Sequence, residues 1–316
     1  SHQAAFPVLL KPCRDPADQN RYLTAQLRDY HAQGYAYEQM AILFRTNLGI
    51  RFVMDALMKG GIPFHMKDAI PNLFAHWISL DIIAYLRLVS GTGNTRANWL
   101  RIMNRPNRYI KREALAPFTS DISVAQLKAY YQDKDWMLER LDRLEYDLSI
   151  MKRMSPYAAI HYLSNAMKYQ DYLKDYAKEH HINEQELLDV LNAVHESSQS
   201  CRTFAEWFTY IDTYTEELQK QAKSPASKDA NNESGVCLCT LHCAKGLEYP
   251  IVFIPDINED NIPHARAAVD ADLEEERRLF YVGITRAKEH LHLYCVGEAS
   301  GKEKFPSRFL EELNEM

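Results

Sequence analysis

Thr240-Leu-His-Cys-Ala-Lys245-Gly246-Leu-Glu248-Tyr-Pro250 is the stretch from which the rest of the chain can be read. An apolar run at 236–241 leads into it and a second, Ile251-Val-Phe-Ile-Pro255, follows it. Polar and charged side chains are thus held in a tight corner between two strands, which is how a rigid scaffold presents groups to a ligand. Downstream stands Glu275-Glu-Arg-Arg-Leu-Phe-Tyr281-Val-Gly-Ile-Thr285-Arg286-Ala-Lys288, read as a helix over 273–288, and then a further strand, Leu291-His-Leu-Tyr-Cys-Val296. Near the start, Ala41-Ile-Leu-Phe44 is a short apolar run ending at Arg45, and Arg51-Phe-Val-Met-Asp-Ala-Leu-Met-Lys carries helical spacing until Gly60-Gly61 stops it. Strands separated by helices argue for a parallel, doubly wound sheet.

The middle of the chain is different. Residues 122–221 are almost free of glycine and carry Leu, Tyr, Lys and Glu at helical spacing, as in Trp136-Met-Leu-Glu-Arg-Leu-Asp-Arg-Leu-Glu-Tyr-Asp-Leu. A polar segment over 219–235 follows, too poor in apolar residues to order itself firmly, and reads as a mobile connection back into the sheet. The expected organisation is a sheet domain built from 1–121 and 232–316, with a helical insertion and its exit linker at 122–231.

Hydrophobic residues make up 46% of the 316, enough for real cores. No apolar run approaches a bilayer span and no signal-peptide layout opens the chain, so a cytoplasmic location is expected. The six cysteines lack the spacing of a secreted disulfide framework, and reduced thiols are expected. A net charge of −6 carries no general attraction for nucleic acid, so any such contact is local. Cys237, Cys239 and Cys243 beside His242 invite a zinc reading, but no second Cys or His pair at finger spacing follows; buried thiols are expected and no metal site is assigned. None of the eleven glycines opens a G-x-x-x-x-G-K phosphate loop. The chain begins at Ser1, which suits a piece of a longer protein.

Taken together, the three segments around Arg45, 240–250 and 275–288 resemble the fourth, fifth and sixth motifs of superfamily I DNA helicases of the UvrD/Rep/PcrA type. A looser likeness runs through Ala84-Tyr-Leu-Arg-Leu88 and Asn104-Arg-Pro-Asn-Arg108. The resemblance implies an α/β fold: a RecA-like parallel sheet with helices on both faces, interrupted by a mainly α-helical inserted subdomain. It implies the second motor domain of an ATP-dependent helicase or translocase, inactive without the first, which would carry the phosphate loop and hold most of the Mg²⁺.

It also implies roles for single residues. Arg45 and Arg286 are expected as arginine fingers that stabilise charge developing in phosphoryl transfer. The plainer alternative pairs them with Glu274, Glu275 and Glu276. Phe44, where the family usually has tyrosine, is expected to stack on adenine; the alternative is a buried strand-end aromatic. Gly246 makes the corner that presents Glu248 to the nucleotide ribose. Thr240 and His242 are expected to donate to DNA phosphates without reading bases. The partners implied are single-stranded or partly duplex DNA, the missing RecA-like domain and repair or recombination proteins.

One departure stands out. After Asn104-Arg-Pro-Asn-Arg108 the family commonly continues Gly-Ile-Gly, whereas this chain has Tyr109-Ile110-Lys111. The insertion is also smaller than in well-known relatives, so their duplex contacts are not carried over to it. Two competing functions are a non-catalytic adaptor that keeps the fold, which intact Arg45, Glu248 and Arg286 argue against, and part of a recombination helicase-nuclease, for which the residues past Arg308 are too few.

Overall fold

A computed structural model of the chain describes residues 8–67, 71–93, 95–223, 234–265, 267, 269–299 and 302–314. In chain order these form β1 (Val8–Cys13), α1 (Pro16–Ala32), β2 (Met40–Phe44), α2 (Asn47–Gly60), β3 (Phe64–Met66), α3 (Trp77–Ser90), α4 (Thr95–Ile102), α5 (Val124–Tyr130), α6 (Asp135–Met151), α7 (Pro156–Asn165), α8 (Tyr169–Glu179), α9 (Glu184–Ser197), α10 (Phe204–Lys223), β4 (Val236–Thr240), β5 (Tyr249–Ile254), α11 (Asp270–Ile284), β6 (Ala287–Val296) and α12 (Arg308–Asn314). The chain falls into two compact units, Ser1–Ile70 with Gln219–Met316, and Pro71–Leu218. Among the described residues no helix is long and apolar enough to cross a membrane.

The first unit is a six-stranded sheet in the order β1-β6-β5-β2-β4-β3, with every neighbouring pair parallel. Parallel strands covered on both faces need apolar side chains on both, and all five residues of β2 are buried. On one face Leu43, Cys239, Ile254 and Leu293 share a core with Phe280 of α11 and Phe309 of α12. On the other, Phe253 and His292 meet Tyr30 of α1, whose hydroxyl lies 2.8 Å from His292 Nε2. The result is an α/β, RecA-like sheet with helices on both faces. β1 forms one edge, and its first three residues, Val8, Leu9 and Leu10, are exposed.

The second unit is helical, and it begins at Pro71 rather than at the expected 122. The helix α3 explains the difference. It is buried almost all round, through Ile78, Ile82, Tyr85, Leu86 and Val89, and it packs among helices of its own unit. Its one acid, Asp81, is fully buried and accepts hydrogen bonds from Arg105 Nη1 at 2.8 and 3.1 Å and from the Tyr169 hydroxyl at 2.9 Å, with Arg101 Nε also 2.9 Å away. Burial pushes the Asp81 carboxyl above its ordinary range against the pull of both guanidiniums and Tyr169. Residues 224–233 of the expected exit linker lie outside the described residues.

The departure at 109–111 has a structural meaning. Tyr109 sits in the left-handed region at φ 60°, where a side chain costs free energy and glycine does not. Asn104 holds the corner: its Oδ1 accepts the N–H groups of Arg108 (3.3 Å) and Ile110 (2.9 Å), and its Nδ2 donates to the Ile110 carbonyl (2.9 Å).

Candidate functional site

All seven site residues expected from the sequence lie on the sheet unit, and its topology sorts them to two edges. Phe44, Arg45, Thr240 and His242 stand at or just past the carboxyl ends of β2 and β4, while Glu248 and Arg286 stand at the amino ends of β5 and β6. The register pairs Ile42 with Phe253 and Tyr249 with Ala287. Arg45 and Arg286 therefore stand about eight residue steps, roughly 26 Å, apart along the strand direction.

At the carboxyl edge Phe44 is 2% exposed. A Cβ on Gly49, in the first turn of α2, would lie 3.2 Å from its Cδ1, so the ring is packed into the protein. The face expected to stack on adenine is not open here. Arg45 makes a two-point pair with Glu276 of α11, Nε to Oε2 at 2.8 Å and Nη2 to Oε1 at 2.6 Å, with both side chains largely buried. Glu276 Oε2 also accepts the His264 N–H at 3.0 Å. Burial alone would raise the Glu276 carboxyl; the Arg45 and His264 hydrogen bonds outweigh it and hold the group below its ordinary range. Of the three neighbouring acids only Glu276 shares a helix face with Phe280 and Gly283, the face that meets the sheet.

Thr240 lies opposite Phe44 at the end of β4, and its Oγ1 accepts the Cys243 N–H at 3.3 Å, fixing the turn. His242 follows it and is exposed. Cys237 and Cys239 are fully buried, and among the described residues no group of three or more ligands is placed to hold a metal.

The amino edge is built by a close approach. A Cβ on Gly283 would lie 2.4 Å from Leu241 Cδ2, so a side chain there would force Leu241 to shift where α11 packs on the 240–248 corner. That corner turns through Gly246 at φ 85°, in open space. Arg286 lies beyond the end of α11, not inside the helix expected to run to 288. Its Nε donates to the Val282 carbonyl (2.9 Å), Nη1 to the Leu247 carbonyl (3.0 Å) and Nη2 to Thr285 Oγ1 (3.0 Å). Its own carbonyl accepts the Tyr249 N–H at 2.8 Å, and Glu248 pairs with exposed Lys288 at 3.0 Å. Among the described residues the hydrogen-bond partners of Arg286 are all neutral oxygens, which orient the guanidinium without cancelling its charge. Lys288 was the residue that sequence reasoning missed here. Its signal was the Arg-Ala-Lys spacing, which puts it and Arg286 on one side of an extended strand.

A parallel sheet of this strand order, with helices on both faces, is the architecture of a RecA-like α/β domain. Comparison makes the class specific. The model of the UvrD-like helicase C-terminal domain matches residues 4–297, and the chain belongs to that family. It is 28% identical over 97% of its length to the putative ATP-dependent DNA helicase YjcD of Bacillus subtilis strain 168. It is 28% identical over 94% of its length to the ATP-dependent DNA helicase PcrA of Staphylococcus epidermidis, and 27% identical over the same share to PcrA of Staphylococcus aureus strain Mu50. These matches take in 40% of YjcD and 42% of each PcrA, so the chain spans about two fifths of the curated relatives it matches.

Proposed function

We propose that this chain is the C-terminal motor half of an ATP-dependent DNA helicase or translocase. The observation that carries the reading is Arg286, a guanidinium held by neutral oxygens beside the exposed carboxylate of Glu248. Such a cation next to a hydroxyl acceptor fits a nucleotide, with Glu248 toward the ribose and Arg286 toward the phosphates. Gly246 keeps the corner open. Arg45 reaches a phosphate only by leaving Glu276, so its contribution is conditional on that exchange. Phe44 as it stands does not fit adenine stacking and would need the start of α2 to move.

ATP and Mg²⁺ would be held chiefly by the missing half, where the phosphate loop belongs, and supply the energy of the cycle. Here Arg286 would neutralise developing charge, joined by Arg45 only if it leaves Glu276 and the two are drawn toward one phosphate, while Thr240 and exposed His242 would donate to the phosphates of single-stranded DNA. Closure and release of the two halves would shift grip along the strand. The 4–297 match and the names of the relatives support this.

The test compares this chain alone with its full-length parent. The parent should hydrolyse ATP in a DNA-stimulated manner and the isolated chain should not. Turnover by the isolated chain, with contaminants excluded, contradicts the division of labour.

A further inference from the structure

The helical unit carries a surface feature that the motor chemistry leaves unused. Tyr109 and Trp136 are 59% and 49% exposed, and the Arg140 guanidinium lies over both rings, 4.9 Å from the first centroid and 5.1 Å from the second. Large aromatics left in water on either side of an arginine need a reason. Here the backbone is also held in a strained conformation to put one of them there, at the left-handed Tyr109 pinned by Asn104. The adjoining Lys111 N–H donates to the Tyr131 hydroxyl at 2.7 Å, and Lys134 lies over the Tyr131 ring.

Asp142 and Glu145 are engaged by Lys128 of α5 at 2.5 Å each. Trp136 and Arg140, four residues apart, share a different face, and no carboxylate partner of Arg140 is found among the described residues. Two π faces with an unneutralised guanidinium between them, and lysines beside them, match what holds unpaired nucleic acid: bases stack on rings and on guanidinium, and phosphates meet the cations. Duplex DNA offers no free base face, so it does not use such a surface.

We propose that Tyr109, Arg140 and Trp136 form a stacking platform for unpaired bases of single-stranded nucleic acid, standing where the family commonly has a glycine-rich corner. The proposal rests on the reading that the parent acts on DNA. The test uses the full-length parent and a forked duplex carrying 5-iododeoxyuridine in a single-stranded tail or, separately, in the duplex arm. After irradiation, peptides are mapped by mass spectrometry.

The tail probe should crosslink to Trp136 or Tyr109 and the duplex probe should not. The yield should fall about tenfold in Trp136→Leu and in Tyr109→Gly, and hold in Trp136→Phe. Tyr109→Gly also removes the left-handed strain, so a loss of fold does not explain its result; a cooperative melt checks this. Crosslinks confined to the sheet unit, or equal from tail and duplex arm, overturn the platform. If the wild-type parent shows DNA-stimulated ATP hydrolysis together with that result, the platform alone falls. If there is no stimulation at all, the motor reading falls instead.

Discussion

The two edges of the sheet hold arginine in opposite ways. At the carboxyl edge Arg45 is locked in a two-point pair with the largely buried Glu276, and at the amino edge Arg286 is cradled by carbonyls and one hydroxyl. A carboxylate cancels charge, whereas neutral oxygens orient it and leave the field intact. The difference teaches that two arginines with one family role need not be equally ready for it. On the proposed reading Arg286 would be preorganised as it stands, while Arg45 would have to exchange a buried anion for a phosphate.

The comparison breaks most visibly in turnover. In the parent, Arg286→Ala should lower kcat by at least about 10²-fold with nucleotide affinity changed far less, and Arg286→Lys should not restore it for want of the planar fork. Arg45→Ala should lower kcat as strongly and, unlike Arg286→Ala, also lower thermal stability, because it strands Glu276. Equal stability losses in the two variants would erase the distinction drawn here.

A smaller effect isolates the pair itself. Glu276→Gln should destabilise the parent by about 2 kcal/mol at neutral pH, below the range for fully buried pairs because some solvent reaches this one. The folded-state carboxyl is held below its reference value of 4.5, so its stabilising contribution is present above that value and lost as pH falls through the lowered one. Wild type should therefore lose stability on acidification more steeply than Glu276→Gln in denaturant melts. Parallel acid limbs would mean that Arg45 and Glu276 are not coupled in solution.

The smallest effect belongs to the exposed pair. Lys288→Ala should move Tm by less than about 2 °C, since both partners are more than half in water. A larger shift would make the amino edge as tightly locked as the carboxyl edge.

Much of this was legible in the chain. Apolar runs ending in Arg45, Thr240 and Pro255 mark strands whose polar ends must lie at the sheet's rim, and the fully buried β2 reads directly from Met-Ala-Ile-Leu-Phe. The partner of Arg45 was narrowed to three glutamates but not chosen, because the choice depends on which helix face meets the sheet. The helical unit's start was placed too late for a related reason. The residues of α3 say that it is buried, not whether a sheet or other helices bury it. Asp81 inside that apolar run was the available clue, since a buried acid demands cationic partners, and Arg101 and Arg105 follow soon after. Likewise nothing in the composition says that Tyr109 is left-handed. Its position where relatives commonly carry glycine was the only hint.

The edge strand β1 has a consequence for how the protein behaves when crowded. An unpaired strand edge is a template on which foreign strands can add, and exposed Val8, Leu9 and Leu10 make its first half sticky. Lys11 and Pro12 come next: one places a charge in the path of a growing ribbon and the other has no N–H to offer it. Among the described residues an intruding strand thus finds three apolar residues, Val8 to Leu10, before a charge and a missing N–H interrupt it. The same six residues that close the sheet on this side also carry a charge and a missing N–H on its open edge.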